Sequence, residues 1–243
     1  MPFNQAMEVH LFKALGMKRT SIGFLNFQKQ DDRAWPHERA KNGSFIASEN
    51  YSSRYHESVA SSGGINASIT DMAQFLLLQL GGLPHIASAS ELATLHAPVC
   101  LAPDAERWFK NHIKGKFSCH YGYGWRMVND GKDLIVFHGG WLKGFASIMA
   151  FSQKQKKGIV ILSNTESSFA FSTAMSFLLK NNGKLKKAII FDCDNTLWKG
   201  IIGEDGIENY PRINNVPLEL DFLSNRERFF LPSKPGALLL AED

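Results

Sequence analysis

Cysteine is scarce in this 243-residue sequence, and its few cysteines form no recognisable pattern. There are three of them, Cys100, Cys119 and Cys193, which are widely spaced and odd in number. A disulfide-stapled fold needs paired cysteines, and a structural zinc site needs ligands at short, regular spacings. The sequence therefore predicts neither a disulfide framework nor a cysteine-based zinc site.

Long apolar runs are also absent, since no stretch approaches the roughly 18 residues that a transmembrane helix needs. The opening residues, MPFNQAMEVH, contain no apolar signal core. As written, the sequence predicts a protein with no transmembrane segment and no secretion signal, and therefore a cytoplasmic location.

No strong charge imbalance is present, because 27 basic and 23 acidic residues leave a net charge of +4. A dense basic stripe, which would be typical of a nucleic-acid binder, is missing, so nucleic acid is not an expected partner. The charge is unevenly divided, however. Residues 1–183 carry 19 basic and 13 acidic side chains, whereas residues 184–243 carry 8 basic and 10 acidic ones. This division favours two segments of different origin.

The apolar spacing predicts several helices. Residues 4–15 carry apolar side chains near one face and precede Gly16, a typical C-terminal cap. A second helix follows the N-cap candidate Ser68 and ends at Gly81-Gly82, and residues 88–96 and 167–180 have further helical patterns. The polar stretch between residues 26 and 66 predicts a long loop with short strands.

Three short apolar runs, at residues 134–137, 145–151 and 158–163, are separated by turn-like sequences. This arrangement predicts an antiparallel meander. A further apolar strand is expected at residues 187–191, running into Asp192. The segment 211–243 is rich in proline and has no sustained amphipathic pattern, so we expect it to be poorly ordered.

Five motifs between residues 2 and 180 resemble, in order, those of serine hydrolases related to class C β-lactamases and penicillin-binding proteins. They are Phe12-Lys13-Ala14-Leu15-Gly16-Met17-Lys18-Arg19-Thr20, the run Ser62-Gly63-Gly64-Ile65 with Ser68-Ile69-Thr70-Asp71-Met72-Ala73-Gln74-Phe75, Tyr121-Gly122-Tyr123-Gly124-Trp125, His138-Gly139-Gly140-Trp141 with Gly144-Phe145, and Gly158-Ile159-Val160-Ile161-Leu162-Ser163-Asn164. The resemblance implies a mixed α/β (α+β) fold, a partial β-lactamase/transpeptidase-like one. It also implies acyl transfer to, or hydrolysis of, a β-lactam, peptide or ester. The expected partner is a small acyl substrate or a peptidoglycan-like peptide.

In this family a strand beside the nucleophile carries a cationic or hydrogen-bonding residue followed by small residues. His138, Gly139 and Gly140 occupy that position here. The resemblance implies that the strand offers a backbone amide to an acyl oxyanion, and that His138 binds the substrate or takes part in proton transfer. The alternative interpretation of His138 alone is a hydrogen-bonded histidine at the end of a strand.

The two remaining catalytic motifs of the family are absent, because the sequence contains neither S-x-x-K nor Y-x-N. Both lie upstream of the segment that matches Leu15-Gly16-Met17, so we expect the chain to begin just after the tyrosine motif. We predict that this polypeptide is inactive as a hydrolase. Either another polypeptide supplies the nucleophile, or the chain is a non-catalytic binding module.

A second resemblance begins at residue 186. This part of the sequence is similar to the opening of FkbH-type haloacid-dehalogenase-like domains. The similarity is carried by Asp192-Cys193-Asp194-Asn195-Thr196 and the residues that follow up to Glu208. That resemblance implies Asp192 as a phosphoryl-accepting nucleophile and Asp194 as an acid/base, with both carboxylates able to hold Mg²⁺. The alternative is an ordinary acidic turn after a strand.

The resulting domain prediction has three parts: a β-lactamase-related portion at residues 1–183, a truncated haloacid-dehalogenase-like opening at 184–210, and an unassigned tail at 211–243. The first family acts mostly outside the cytoplasm and the second inside it. Their juxtaposition suggests a natural fusion or a gene remnant.

Overall fold

An antiparallel sheet organises the computed structural model, which describes residues 1–41, 44–48, 59–113, 115–166, 168–179, 188–192 and 239–241. Eight strands of this sheet lie within the described residues, and the strands run in the order β12-β11-β10-β9-β8-β7-β6-β5. Their bounds are β5 Cys100–Leu101, β6 Ser118–Gly122, β7 Trp125–Asn129, β8 Leu134–Leu142, β9 Phe145–Ser152, β10 Lys157–Ser163, β11 Ala188–Asp192 and β12 Leu239–Ala241. Neighbouring strands are antiparallel except β10 and β11, which are parallel.

Two small ribbons stand apart from this sheet. They are β1 Ser21–Ile22 with β4 Ile65–Asn66, and β2 His37–Arg39 with β3 Phe45–Ala47. The helices are α1 Phe3–Met7, which continues as a π-helix over Glu8–Phe12, α2 Phe24–Gln28, α3 Ala60–Gly63, α4 Ile69–Gln79, α5 Ala89–Leu95, α6 Pro103–His112 and α7 Phe169–Leu179. Among the described residues, no helix has both the length and the apolar character needed to cross a membrane.

The sheet buries both of its faces. Successive side chains of a strand point to opposite faces, so Ile135 and Phe137 of β8 join the cluster that contains α7, while Val136 between them joins the cluster that contains α4. We call these the α7 face and the α4 face. Helix α6 also covers the α7 face through Phe109, which is 1% exposed.

The first helix ends as its sequence predicts. Gly16 adopts a left-handed φ of +66°, the Met17 amide donates to the Phe12 carbonyl at 2.8 Å, and the Gly16 amide donates to the Lys13 carbonyl at 3.2 Å. This pair of hydrogen bonds is a Schellman cap. Phe12 and Met17 are both buried in the same apolar cluster as Leu78 of α4, so the capped end of the helix packs against α4.

A buried carboxylate holds the segment after this cap against helix α4. Ser68 caps that helix by accepting from the Asp71 amide at 3.2 Å, as predicted. Asp71 is 6% exposed and accepts from the Arg19 amide at 2.8 Å and from the Thr20 hydroxyl at 2.7 Å. Two of the motifs that resemble the family are therefore tied together by one side chain.

Most of the predicted elements are present. Strands β8, β9 and β10 form the predicted meander, and α7 and α5 occupy the segments that have helical patterns. Ser88 and Glu91 form a reciprocal capping box at the start of α5. The stretch 26–66 contains short strands as predicted, and also the end of helix α2 and the whole of α3.

The strand expected at 187–191 is present as β11, over residues 188–192. The strands that pair with it were not predicted from the sequence. It extends the sheet beside β10 and pairs on its other side with β12, at 239–241. Residues 180–187 and 193–238 lie outside the described residues. The division at residue 183 and the poorly ordered tail thus stay predictions.

A buried histidine makes the fold sensitive to acid. His96 is 6% exposed, its Nε2 lies 2.8 Å from Gln79 Oε1, and its ring packs against Trp125 and Phe151. Burial lowers the pKa of His96 from 6.5 to about 4. As the pH falls through this window, the unfolded chain takes up a proton that the folded chain excludes. We therefore expect His96 to reduce the free energy of unfolding by about 2–3 kcal/mol between pH 7 and pH 4.5.

Urea unfolding at the two pH values measures this loss. The double variant His96→Phe/Gln79→Leu removes the titrating ring together with its buried partner, and we expect its acid-induced loss to be smaller by that amount. An unchanged pH dependence in the double variant would assign the acid sensitivity to other groups.

Candidate functional site

The second half of β8 is an open sheet edge. Strand β7 pairs with β8 only from Leu134 to Phe137. From His138 to Leu142, β8 pairs with β9 on one side, and no described strand pairs with it on the other. Unpaired backbone groups on such an edge are a ready template for a further strand. The predicted site residues His138, Gly139 and Gly140 therefore lie where an extended ligand can add.

His138 begins the open edge on its α4 face, since it follows Val136 by two residues. Partial burial of the ring, followed by the positive charge of Arg126, lowers its pKa below the ordinary value of 6.5. A lowered pKa favours the neutral imidazole, which has one N–H donor and one acceptor nitrogen. The ring is already hydrogen-bonded to the backbone of Gly139, and this bond opposes the shift. The neutral form suits hydrogen bonding to a ligand.

Gly140 packs closely against the neighbouring strand of the meander. It lies opposite Ser147 of β9, and a Cβ at this position would come 2.5 Å from Ser147 Oγ. A Cβ at Gly139 would meet only the Ser147 carbonyl oxygen, at 3.4 Å. Glycine at 140 lets the two strands approach, and glycine at 139 leaves its own position on the α7 face without a side chain.

The turn after the open edge is held by a carboxylate. Glu166 accepts from Trp141 Nε1 at 3.0 Å and from the Gly144 amide at 2.7 Å. Trp141 itself stays 62% exposed. Its indole therefore stands in solvent beside the edge, with its N–H end fixed.

The polar loop that follows α2 is fastened to the same turn. Lys143 Nζ lies 2.9 Å from Glu38 Oε1, and hydrogen bonds from Lys143 and Ser48 lower the pKa of the Glu38 carboxyl. The His37 amide donates to the Asn164 carbonyl at 2.8 Å, and Asn164 Nδ2 donates to the Trp35 carbonyl at 3.0 Å. The loop therefore flanks the open edge instead of standing free in solvent.

The Tyr121-Gly122-Tyr123-Gly124-Trp125 motif forms the β6–β7 hairpin next to the open edge. Gly124 has a left-handed φ of +83°, and a Cβ on Gly122 would overlap the carbonyl oxygen of Ala97. The hairpin places the exposed Arg126 at the start of β7, with its guanidinium carbon 5.7 Å from the centre of the Tyr121 ring.

Asp192 lies at the same end of the sheet as the open edge. The pairing register runs from Asp192 through Leu162 and Ser147 to Gly140. Three strand spacings separate the first from the last, which is about 14 Å. The backbone at Asp192 is therefore too far from Gly140 for the two residues to contact one ligand atom together. Asp194 lies outside the described residues, and the described residues contain no group of three or more metal-ligating side chains. The Mg²⁺ site at Asp192 and Asp194 stays a prediction.

Sequence reasoning missed Glu166 and Arg126. Glu166 comes two residues after the strand motif that ends at Asn164, and nothing in its local pattern points to the turn 22 residues earlier that it holds. Arg126 directly follows the hairpin motif. Its adjacency to the open edge depends on strand register, for which the sequence carries no signal.

Comparisons with known proteins agree with this architecture. The sequence matches the family model described as Beta-lactamase over residues 1–179. The octameric penicillin-binding protein homologue from Pyrococcus abyssi is 20% identical with a TM-score of 0.58, and the match covers 75% of this chain and 39% of that one. A class C β-lactamase is 16% identical with a TM-score of 0.49, covering 76% of this chain and 53% of that one. No curated protein matches the sequence.

The chain thus spans between 39% and 53% of the length of these solved structures. The likeness to the archaeal homologue confirms the predicted mixed α/β fold, a partial β-lactamase/transpeptidase-like one. The family match covers 179 of 243 residues and contains the open edge, the hairpin beside it and the turn that Glu166 holds. This chain therefore belongs to the Beta-lactamase family.

Proposed function

We propose that this polypeptide binds an extended acyl or peptide ligand along the open edge of β8. In this role it provides the substrate-edge half of a β-lactamase-family acyl-transfer site. The observation that carries the proposal is the end of β7–β8 pairing at Phe137, immediately before His138-Gly139-Gly140. An added strand would hydrogen-bond to the backbone of β8, and pockets beside the strand would select its side chains.

The neighbouring side chains support this role. His138 offers a hydrogen-bonding imidazole at the start of the edge, Gly139 leaves room for ligand backbone, and the anchored indole of Trp141 offers an apolar surface. Peptidoglycan-like peptides have the extended backbone that this edge would accept. Such a ligand is also consistent with the chemistry of the family.

The same proposal states that the isolated 243-residue polypeptide does not turn over substrate. Acyl transfer in this family needs a serine activated by a nearby base, and the sequence contains neither S-x-x-K nor Y-x-N. An oxyanion-binding strand without its nucleophile can hold an acyl group but cannot form the covalent intermediate.

We expect two results from the purified chain. Hydrolysis of a chromogenic cephalosporin and of a nitrophenyl ester should not exceed the rate in buffer. Titration with diacetyl-lysyl-D-alanyl-D-alanine should shift the backbone amide resonances of Gly139, Gly140 and Trp141. A peptide of the same sequence with N-methylated backbone amides should leave these resonances in place, because it cannot complete the strand hydrogen bonds.

Variants of two histidines sharpen the binding measurement. His138→Ala should weaken peptide binding about fivefold, the effect of losing about one hydrogen bond. His10→Ala, on the exposed π-helical turn after α1, should leave binding unchanged. Burst acylation traced to a serine of this chain would disprove the inactivity. Equal binding of the N-methylated peptide would disprove addition to the edge.

A further inference from the structure

A cavity of about 350 Å³ lies beside the first residues of β8. Leu134 and Val136 line it on the α4 face of the sheet, and His96, directly after α5, forms another part of its wall. The β7–β8 turn and the β9–β10 turn contribute Lys132 and Lys154. The middle of the open edge lies four residues beyond Val136 along the strand, about 13 Å away. The cavity is therefore separate from the open edge.

We propose that this cavity is a second binding site, which takes a small aromatic carboxylate that carries a hydroxyl group. The inference goes beyond the proposed function and does not depend on ligand addition to β8. Three parts of the cavity favour such a ligand: an apolar wall, a hydrogen-bond acceptor and a pair of cations.

The apolar wall sets the size and shape of the ligand. The side chains of Leu134 and Val136 belong to the apolar cluster of the α4 face, and the His96 ring adds an aromatic surface beside them. Small-molecule sites have volumes of about 300–1,000 Å³. The cavity is at the lower end of this range, so it suits a ligand built on one ring.

The acceptor is the second ring nitrogen of His96. Nε2 lies 2.8 Å from Gln79 Oε1. This amide oxygen can only accept, so Nε2 carries the ring proton. Burial lowers the pKa of His96 to about 4, so at pH 7 the ring is neutral and Nδ1 keeps a lone pair.

This nitrogen lacks a donor. Nδ1 of His96 has no hydrogen-bond partner among the described residues, although the residue is only 6% exposed. Buried polar atoms are rarely left without a partner. A hydroxyl group of a ligand in the cavity would supply the missing donor.

The cations stand together where the cavity meets solvent. Lys132 and Lys154 are both exposed, and Lys154 Nζ donates to the Lys132 carbonyl at 2.7 Å. An ammonium group has three donors, so Lys154 keeps two for a ligand. The carboxylate of Asp133, which also lines the cavity, accepts from Ser152 Oγ and Gln155 Nε2, each at 2.6 Å. Its lone pairs are thus engaged within the protein, and the two lysines can bind an anion.

Three benzene derivatives of similar size test this assignment. They are 4-hydroxybenzoate, 4-methoxybenzoate, which lacks the donor, and 4-hydroxybenzamide, which lacks the charge. Titration of the full-length chain with 4-hydroxybenzoate should shift the amide resonance of Gly131, which lines the cavity, and the ring nitrogen resonance of His96 Nδ1. The amide resonances of Gly139 and Gly140 should stay in place. Each of the other two compounds should have a Kd about fivefold higher, the effect of losing about one hydrogen bond.

Lysine variants locate the anion site. The double variant Lys132→Gln/Lys154→Gln should raise the Kd of 4-hydroxybenzoate to that of 4-hydroxybenzamide and leave the Kd of the amide unchanged. Lys29→Gln is the matched control, because Lys29 is an exposed cation at the end of α2, and it should leave all three Kd values unchanged.

The remaining outcomes would overturn the inference. Shifts confined to Gly139 and Gly140 would place the ligand on the open edge and remove the second site. Equal Kd values for the three compounds would contradict the proposed ligand class. If none of them shifts Gly131, the cavity is not a site for such ligands, while the binding edge stands. The comparison of the three compounds needs no variant, so it decides the matter even if the double variant does not fold.

Discussion

Replacing Phe151 with alanine is expected to destabilise the fold by about 3–5 kcal/mol, the usual cost of truncating a fully buried aromatic side chain. Phe151 is 0% exposed and lies in the middle of the meander, on the α4 face of β9. Its ring centre is 4.9 Å from that of His96 and 5.2 Å from that of Trp125. The cavity would therefore open where α4, α5 and the sheet meet, and these elements cannot all close around it.

The free energy of unfolding from urea denaturation, followed by circular dichroism, measures this loss. Phe3→Ala removes the same atoms from α1, where the residue is 37% exposed, and should cost only about 1–2 kcal/mol. Similar losses in the two variants would contradict the placement of Phe151 in the core.

A second large effect is expected at the turn between β8 and β9. Gly144 has a left-handed φ of +75°, and a Cβ there would overlap Cβ of Pro36 and lie 3.1 Å from its Cα. Gly144→Ala thus adds a clash with the neighbouring loop to the backbone strain of about 1–2 kcal/mol that a left-handed alanine carries. We expect it to reduce the free energy of unfolding by about 3 kcal/mol or more.

Gly124→Ala is the matched control. Gly124 also lies in a hairpin turn with a left-handed φ, of +83°, but a Cβ there would meet nothing within 4 Å. This variant should cost only the backbone strain of about 1–2 kcal/mol. The difference between the two variants measures how tightly residues 36–37 pack on the turn. Equal costs would show that this loop does not rest on Gly144.

The Gly144 variant also reports on the candidate site. The Gly144 amide and Trp141 Nε1 share one acceptor, Glu166. A turn displaced by an added methyl group should shift the indole N–H resonance of Trp141, while Gly124→Ala should leave it in place. The stability and the geometry of the open edge are therefore expected to change together.

Several local features of this protein were predictable because neighbouring residues determine them. Gly16 and Ser68 end and begin helices through hydrogen bonds that span at most five residues. The three apolar runs between residues 134 and 163 form strands because alternate side chains are buried on two faces, and short polar turns make their pairing antiparallel. The ordered motifs likewise led to the family that the match over residues 1–179 confirms.

The site itself depends on contacts between residues that are distant in sequence. The sequence allowed two interpretations of His138, Gly139 and Gly140, a turn after the apolar run 134–137 and, from the family resemblance, part of an edge strand. The structure places them within β8, which β7 leaves after Phe137. Glu166 reaches Trp141 across 25 positions, and β11 pairs with β10 in the same sheet. Hydrogen-bonding capacity is identical at every non-proline residue. The sequence alone therefore determined which segments become strands, while the tertiary structure decided which backbone groups stay unpaired and which charges stand beside them.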